Sequence, residues 1–104
     1  MKIKTTQQLK NLKGKTINVR TEDGKEEPLT LGAVLADIVL APHKTKAGFR
    51  PLRAYELAKD FVNKEVVEIS GSEFAQIKGL VENDEAHHTM LVAQALEMLN
   101  AASE

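Results

Sequence analysis

The sequence predicts a small α+β domain in which about four helices pack on a small antiparallel sheet, made of an N-terminal hairpin and a short central strand. Apolar residues recur at helical spacing in several segments, as in helices with a buried face. Two short segments instead alternate polar and apolar residues, which is typical of half-buried strands. Apolar residues make up 42% of the 104-residue chain, enough for one hydrophobic core, so we expect a single compact domain over residues 1–104.

The predicted hairpin lies in the N-terminal third of the chain. Its first strand is indicated by the alternation of polar and apolar residues from Lys15 to Arg20. Asp23-Gly24 favours a tight reversal, because both residues tolerate left-handed backbone. The return strand should be short and lie at an edge, since Pro28 has no N–H to donate. Before the hairpin, residues 2–5 fit a short strand or one turn of helix.

The first helix is predicted from Leu31 to about Leu40, with Thr30 as its N-cap. Pro42 ends it, because the residue before a proline is pushed out of the helical region. Asp37 is the only charged residue of this helix, which is apolar on almost all sides. Such a helix lies at the centre of a core or presents an apolar face to a partner.

The middle of the chain predicts a second helix, a short strand and a third helix. The second helix starts near Pro51, a residue favoured in a first turn, and runs to about Asn63. The strand covers Glu65 to Ile69, and Ser70 and Glu73 then form a capping-box pattern that starts the third helix. The predicted inward residues are Ala54, Leu57, Ala58, Phe61 and Val62 on the second helix, and Phe74, Ile77 and Val81 on the third.

The fourth helix is predicted from about Asp84 to Ala101, and its first turn contains weak candidates for metal ligands. On a helix, Asp84 and Glu85 precede His88 by four and three residues, so either pair could converge on an ion. Glu-x-x-His is half of a di-iron ligand set, but the sequence contains no second copy. Acidic residues also interact favourably with the dipole of a first turn. We therefore expect no metal and no cofactor.

Composition argues against several other classes of function. The chain has no cysteine, which excludes disulfides, thiolate zinc sites and cysteine nucleophiles. It has no Trp and four other aromatic residues, which counts against recognition of nucleic acid by base stacking. Neither a Gly-x-Ser-x-Gly elbow nor a Gly-rich phosphate loop is present. We expect no enzymatic activity and no catalytic residues.

The N-terminus and the longest apolar stretch bear on location. Met1 to Lys4 is followed by polar residues rather than by the apolar segment of a signal peptide. The stretch from Ala33 to Ala41 contains Asp37 and is too short to span a bilayer. We expect a cytoplasmic protein with no membrane partner.

Charge is distributed unevenly along the chain. Residues 1–53 contain eleven Lys and Arg against five Asp and Glu, a net charge of +6, whereas residues 54–104 contain three against ten, a net charge of −7. Residues 1–20 and 42–53 contain basic residues and no acidic ones. The charges could attract one another within the fold, form a basic surface for nucleic acid, or steer a protein partner, including a second copy of the chain.

Of these possibilities, we favour a protein partner. The basic stretches lack both the stacking aromatic residues and the helix-turn-helix signature of nucleic-acid-binding proteins. The candidate partner-binding residues are Asp37, Lys44, Lys46, Arg50 and Arg53. Nucleic-acid binding through residues 1–20 and 42–53 is the alternative.

Four segments carry a resemblance to known proteins. They are Asp23-Gly24-Lys25 with Pro28-Leu29-Thr30-Leu31-Gly32-x-x-Leu35-Ala36, then Arg53-x-Tyr55-Glu56-Leu57-Ala58, then Val66-Val67-Glu68-Ile69-Ser70, and finally Ala93-Gln94-Ala95-Leu96-Glu97-Met98-Leu99. Over nearly its whole length, the chain resembles small proteins of tailed bacteriophages and prophages that have no assigned function. The resemblance implies a phage accessory protein in the host cytoplasm. Such a protein would modulate a host factor or assist virion assembly, by binding rather than by catalysis.

Overall fold

The computed structural model describes residues 1–41 and 49–102, which form four helices and four short strands in an α+β arrangement, as predicted. The elements in chain order are β1 (Lys2–Lys4), β2 (Asn18–Arg20), β3 (Glu26–Pro28), α1 (Leu31–Leu40), α2 (Pro51–Asn63), β4 (Val66–Glu68), α3 (Gly71–Glu82) and α4 (Thr89–Ala102). Within these ranges, no helix is long and apolar enough to cross a membrane.

The strands are divided between two sheets of two strands each, rather than joined in one. β2 and β3 form the predicted hairpin, whose turn places Gly24 at a φ of 81°. The central strand β4 pairs with β1 instead of with the hairpin, and Ile3 lies opposite Val67. Both of these residues are buried, whereas every residue of β2 and β3 is exposed. Burial of the apolar pair therefore explains why β4 joins β1.

Helix α1 lies at the centre of the core. Its buried residues occupy nearly the whole circumference, and it packs against α2, α3 and α4. The Thr30 hydroxyl accepts a hydrogen bond from the Ala33 N–H at 3.3 Å, which confirms the predicted N-cap. Asp37 lies on the exposed strip of α1 and Leu40 at its end. The apolar character of α1 thus serves the core of this domain.

Gly32 allows the close approach of α1 to α2. A Cβ atom at this position would lie 2.1 Å from the Phe61 carbonyl oxygen and 2.9 Å from the Thr5 Cβ. Both distances are far inside van der Waals contact, so a larger residue would force the backbones apart. This contact brings together the start of α1, the end of α2 and the segment after β1.

Helix α4 begins at Thr89, five residues later than predicted, so the prediction for its N-terminal turn is wrong. The Asp84 carboxylate accepts a hydrogen bond from the His87 N–H at 2.9 Å and closes a turn before the helix. His88 Nδ1 then accepts from the Met90 N–H at 3.1 Å. These two side chains accept from backbone N–H groups in place of backbone carbonyls, as polar side chains do near the start of a helix. Further along, Ala95 and Leu99 are buried.

Candidate functional site

A cleft of about 430 Å³ lies between the β2–β3 hairpin and the C-terminal end of α2. Its lining also includes residues after β1 and at the start of α1, so four separate parts of the chain form it. A volume of this size falls in the range of pockets that bind small molecules or a few peptide side chains.

Thr5 makes the floor of the cleft rigid. It is 3% exposed, and each of its polar groups has a partner. Its N–H donates to the Glu65 carbonyl at 2.9 Å, its carbonyl accepts from the Gly32 N–H at 3.0 Å, and its hydroxyl donates to the Lys64 carbonyl. These bonds join β1, α1 and the α2–β4 connection, so the floor is preorganised before any ligand binds.

One wall of the cleft is a face of the hairpin. Val19 and Glu27 lie directly opposite each other in the β2–β3 pairing, so their side chains share one face. The same face continues to Ile17, two residues before Val19, and to Leu29, two residues after Glu27. Leu29 packs against the core. The apolar face of the hairpin therefore runs from the core out to Val19, which is 40% exposed.

The opposite wall is formed by the end of α2, where Val62 is 61% exposed. The prediction that Val62 faces inward is wrong, whereas Ala54, Leu57, Ala58 and Phe61 are buried as predicted. These four residues occupy the arc that contacts α1, and Val62 lies beyond its edge. A pattern of spacing alone does not show where a buried arc ends.

The rim of the cleft carries an excess of negative charge. Glu27 and Glu65 line it and have no ion pair within the described residues. Lys64 also lines the cleft, and it lies 3.4 Å from the Asp60 carboxylate. Among the described residues, the charged groups of the lining that have no ion pair are therefore carboxylates, and they favour a ligand that carries a cation.

The predicted site residue Asp37 belongs to a different cluster, centred on His87. The Asp37 carboxylate is 74% exposed and lies 3.7 Å from His87 Nε2. The other ring nitrogen, Nδ1, lies 2.9 Å from Asp84 Oδ2, and the Asp84 side chain is only 4% exposed. His87 therefore lies between the α3–α4 connection and α1. Local spacing does not predict the contact of His87 with Asp37, because Asp37 lies on α1, far away along the chain.

The weak metal candidates Asp84, Glu85 and His88 do not share a helical face, because α4 starts after them. The Asp84 carboxylate contacts His87 Nδ1, and His88 Nδ1 accepts a hydrogen bond from the Met90 N–H at the start of α4. In the described ranges, no group of three or more His, Asp or Glu side chains could hold a metal ion.

The basic candidates for partner binding lie in different surroundings. Lys44 and Lys46 lie outside the described residues, and Arg50 is exposed just before α2. Arg53 donates from Nε and Nη2 to the Glu73 carboxylate at 2.7 and 2.8 Å, and from Nη1 to the Glu56 carboxylate at 3.3 Å. These bonds raise the pKa of Arg53 and lower that of Glu73. The guanidinium of Arg53 is thus engaged in joining α2 to α3.

Comparisons of the chain with protein-family models, with curated proteins and with solved structures found no match.

Proposed function

We propose that this protein is a non-enzymatic binding module whose cleft takes an extended segment of a partner protein. The observation that supports this most directly is the cleft between the hairpin and α2, which has an exposed valine on each wall and an acidic rim. The segment would carry apolar side chains for the walls and a Lys or Arg for the rim.

The chemistry of the walls supports a peptide as the ligand. Val19 and Val62 are exposed on opposite sides, so an inserted side chain would lose water on two faces. Thr6 lines the cleft and its hydroxyl makes no hydrogen bond within the described residues, so this hydroxyl is available to a peptide backbone. Glu27 and Glu65 would each accept a charge-assisted hydrogen bond from a basic side chain.

The resemblance to phage proteins suggests where the partner belongs. In that context the partner would be a host factor that this protein modulates, or a virion component whose assembly it assists, in the cytoplasm of the host cell. Both roles require binding and no chemistry at the cleft.

The proposal is tested by selecting binding peptides from a random library and measuring their affinity by fluorescence polarisation. We expect the selected peptides to combine apolar residues with Lys or Arg. Val19→Asp should weaken their binding by about tenfold or more, since it removes an apolar contact that the bound peptide would bury. Glu27→Lys should weaken it through charge reversal, and more at low salt than at high salt.

Leu12→Asp is the matched control, because Leu12 is 94% exposed and is not part of the cleft. It should bind the selected peptides as the wild type does. If no peptide is selected, or if the cleft variants bind as tightly as the control, cleft binding is wrong. Binding of duplex or single-stranded nucleic acid at low salt, lost as salt is raised, would instead favour the basic stretches 1–20 and 42–53.

A further inference from the structure

The exposed side of α2 carries a regular row of four side chains, Leu52, Tyr55, Lys59 and Val62, which we name the α2 seam. Leu52, Tyr55 and Val62 are 70%, 54% and 61% exposed, and Lys59 is exposed as well. They follow one another at spacings of three, four and three residues, the spacing with which one helix packs along another. We propose that the α2 seam is a self-complementary interface through which two copies of this chain pair antiparallel about a two-fold axis.

The order of the seam residues fits such a symmetric pair. When two α2 helices run antiparallel with the axis beside Leu57, Leu52 of each copy faces Val62 of the other. In the same arrangement, Tyr55 of each copy faces Lys59 of the other. A two-fold interface requires this reciprocity, because a contact from one residue to another must occur twice. Leu57 itself is buried on the opposite side of the helix and keeps α2 attached to the core.

The central contacts of the pair match an aromatic ring with a cation. Within one chain, Lys59 Nζ already lies 4.6 Å from the centroid of the Tyr55 ring. About half of the Tyr55 surface remains exposed, so the ring has room for a second cation from the other copy. The end contacts of the pair are aliphatic, and they would bury the most exposed apolar residues of α2.

Glu56 completes the match of charge. A side chain in an antiparallel helix pair fits among four residues of the facing helix, so Lys59 of one copy would lie beside Tyr55 and Glu56 of the other. The Glu56 side chain is 50% exposed, and its Oε2 lies 3.3 Å from Arg53 Nη1. Pairing therefore brings two Glu56–Lys59 contacts together across the axis, and these select a second copy over an unrelated helix.

The self-association goes beyond the proposed binding of a peptide and does not depend on it. Val62 is the one seam residue that also lines the cleft. The variants below leave Val62 unchanged, so that failure of one proposal can be told from failure of the other.

Sedimentation velocity over a wide range of concentration tests the pair directly. We expect the apparent mass to rise from 11.4 kDa towards twice that value as concentration increases. Tyrosine emission should change over the same range, because Tyr55 is the only tyrosine and the chain has no Trp. A wild-type protein that stays monomeric throughout would overturn the proposal.

Charge reversal provides the decisive comparison. In a pair of Glu56→Lys chains, the new lysine of each copy lies beside Lys59 of the other. In a pair of Lys59→Glu chains, the new glutamate of each copy lies beside Glu56 of the other. Each variant should therefore weaken self-association by roughly tenfold or more, because like charges meet at both contacts. An equimolar mixture of the two variants restores opposite charges at both contacts and should dimerise again. A mixture that remains monomeric would rule out this register. Far-UV circular dichroism checks that each variant keeps its helices.

Leu52→Asp tests the aliphatic ends of the seam. It should make the protein monomeric, since it places a carboxylate against the Val62 side chain of the other copy. Leu12→Asp changes an exposed leucine outside the seam and should leave self-association unchanged. If Leu12→Asp weakens self-association as much as Leu52→Asp, the interface is elsewhere on the surface.

Discussion

Gly32 shows how one residue positions two helices and the cleft between them. A Cβ at this position would meet a backbone oxygen, that of Phe61, at 2.1 Å. A carbonyl in a helix cannot move aside as the end of a flexible side chain can, so relief requires a shift of α1 or α2. The same shift would disturb the hydrogen bond from the Gly32 N–H to Thr5 in the floor of the cleft.

Gly32→Ala should therefore lower the free energy of unfolding by about 2–3 kcal/mol, because overpacking outweighs the gain in helix propensity of about 1 kcal/mol. Urea denaturation measures the change. Gly79→Ala is the matched control, since Gly79 lies in α3 with open space around its Cβ direction. That variant should be more stable than the wild type by up to about 1 kcal/mol. A stabilised Gly32→Ala would show that the helices do not approach so closely.

Asp84 shows how one side chain can override a helical pattern. Its Oδ2 atom accepts a hydrogen bond from the His87 backbone N–H at 2.9 Å and also lies 2.9 Å from His87 Nδ1. The pattern of residues 84–101 fits a helix, but these bonds hold residues 84–87 in a turn and delay α4 to Thr89. Asp37, in contrast, contacts His87 from an exposed position, so we expect this contact to add little stability.

At the scale of elements, an ion pair joins α2 to the N-terminal turn of α3. Glu73 receives two hydrogen bonds from Arg53, and its N–H also donates to the capping hydroxyl of Ser70 at 3.2 Å. The hydrogen bonds from Arg53 are the main cause of the lowered pKa of Glu73, and the Ser70 N–H acts in the same direction. One carboxylate thus takes part both in the cap of α3 and in the contact with α2.

The pH dependence follows from the direction of this shift. The pKa of Glu73 is lowered from its ordinary value of 4.5 in the folded protein, so the unfolded chain binds the proton more readily. The stabilisation is fully present above that value and is lost as the pH falls below it. Arg53, whose pKa is raised, stays charged over the whole range.

Glu73→Gln should lower the free energy of unfolding by about 1 kcal/mol at neutral pH, because both side chains are partly exposed and the pair is screened by solvent. The difference from the wild type should shrink as the pH is lowered below 4.5, which urea denaturation at several pH values would follow. Glu82→Gln is the control, because Glu82 is an exposed glutamate of α3 that has no ion pair in the described ranges. If both variants behave alike, the Arg53–Glu73 pair contributes nothing measurable.

At the scale of the whole molecule, the N-terminal segment is held by distant parts of the chain. The N-terminal ammonium donates to the Ile69 carbonyl at 3.0 Å, and β1 contacts both β4 and α4. The Gln94 side chain also accepts from the Lys10 N–H at 2.9 Å. Ile3 and Leu9 are completely buried in the same cluster as the helices. The radius of gyration, 13.2 Å, matches that of a compact domain of about 100 residues.

Ile3→Ala should therefore destabilise the entire protein, lowering the free energy of unfolding by about 2–4 kcal/mol through the cavity that it leaves. Helix content by circular dichroism and tyrosine emission should still report one common transition, as expected for a single domain. Lys4→Ala, at an exposed position of the same strand, should change stability by less than about 0.5 kcal/mol. Two separate transitions in Ile3→Ala would contradict the single-domain prediction.

The sequence by itself determined the fold class, the bounds of α1 and α2, and the caps at Thr30 and Ser70. These features depend on residues a few positions apart, where spacing and capping chemistry act directly. Only the tertiary structure decided the pairing of β1 with β4, the exposure of Val62 and the cleft beside it. Each of these depends on which distant segment occupies the space next to a residue, and a local pattern contains no record of that neighbour.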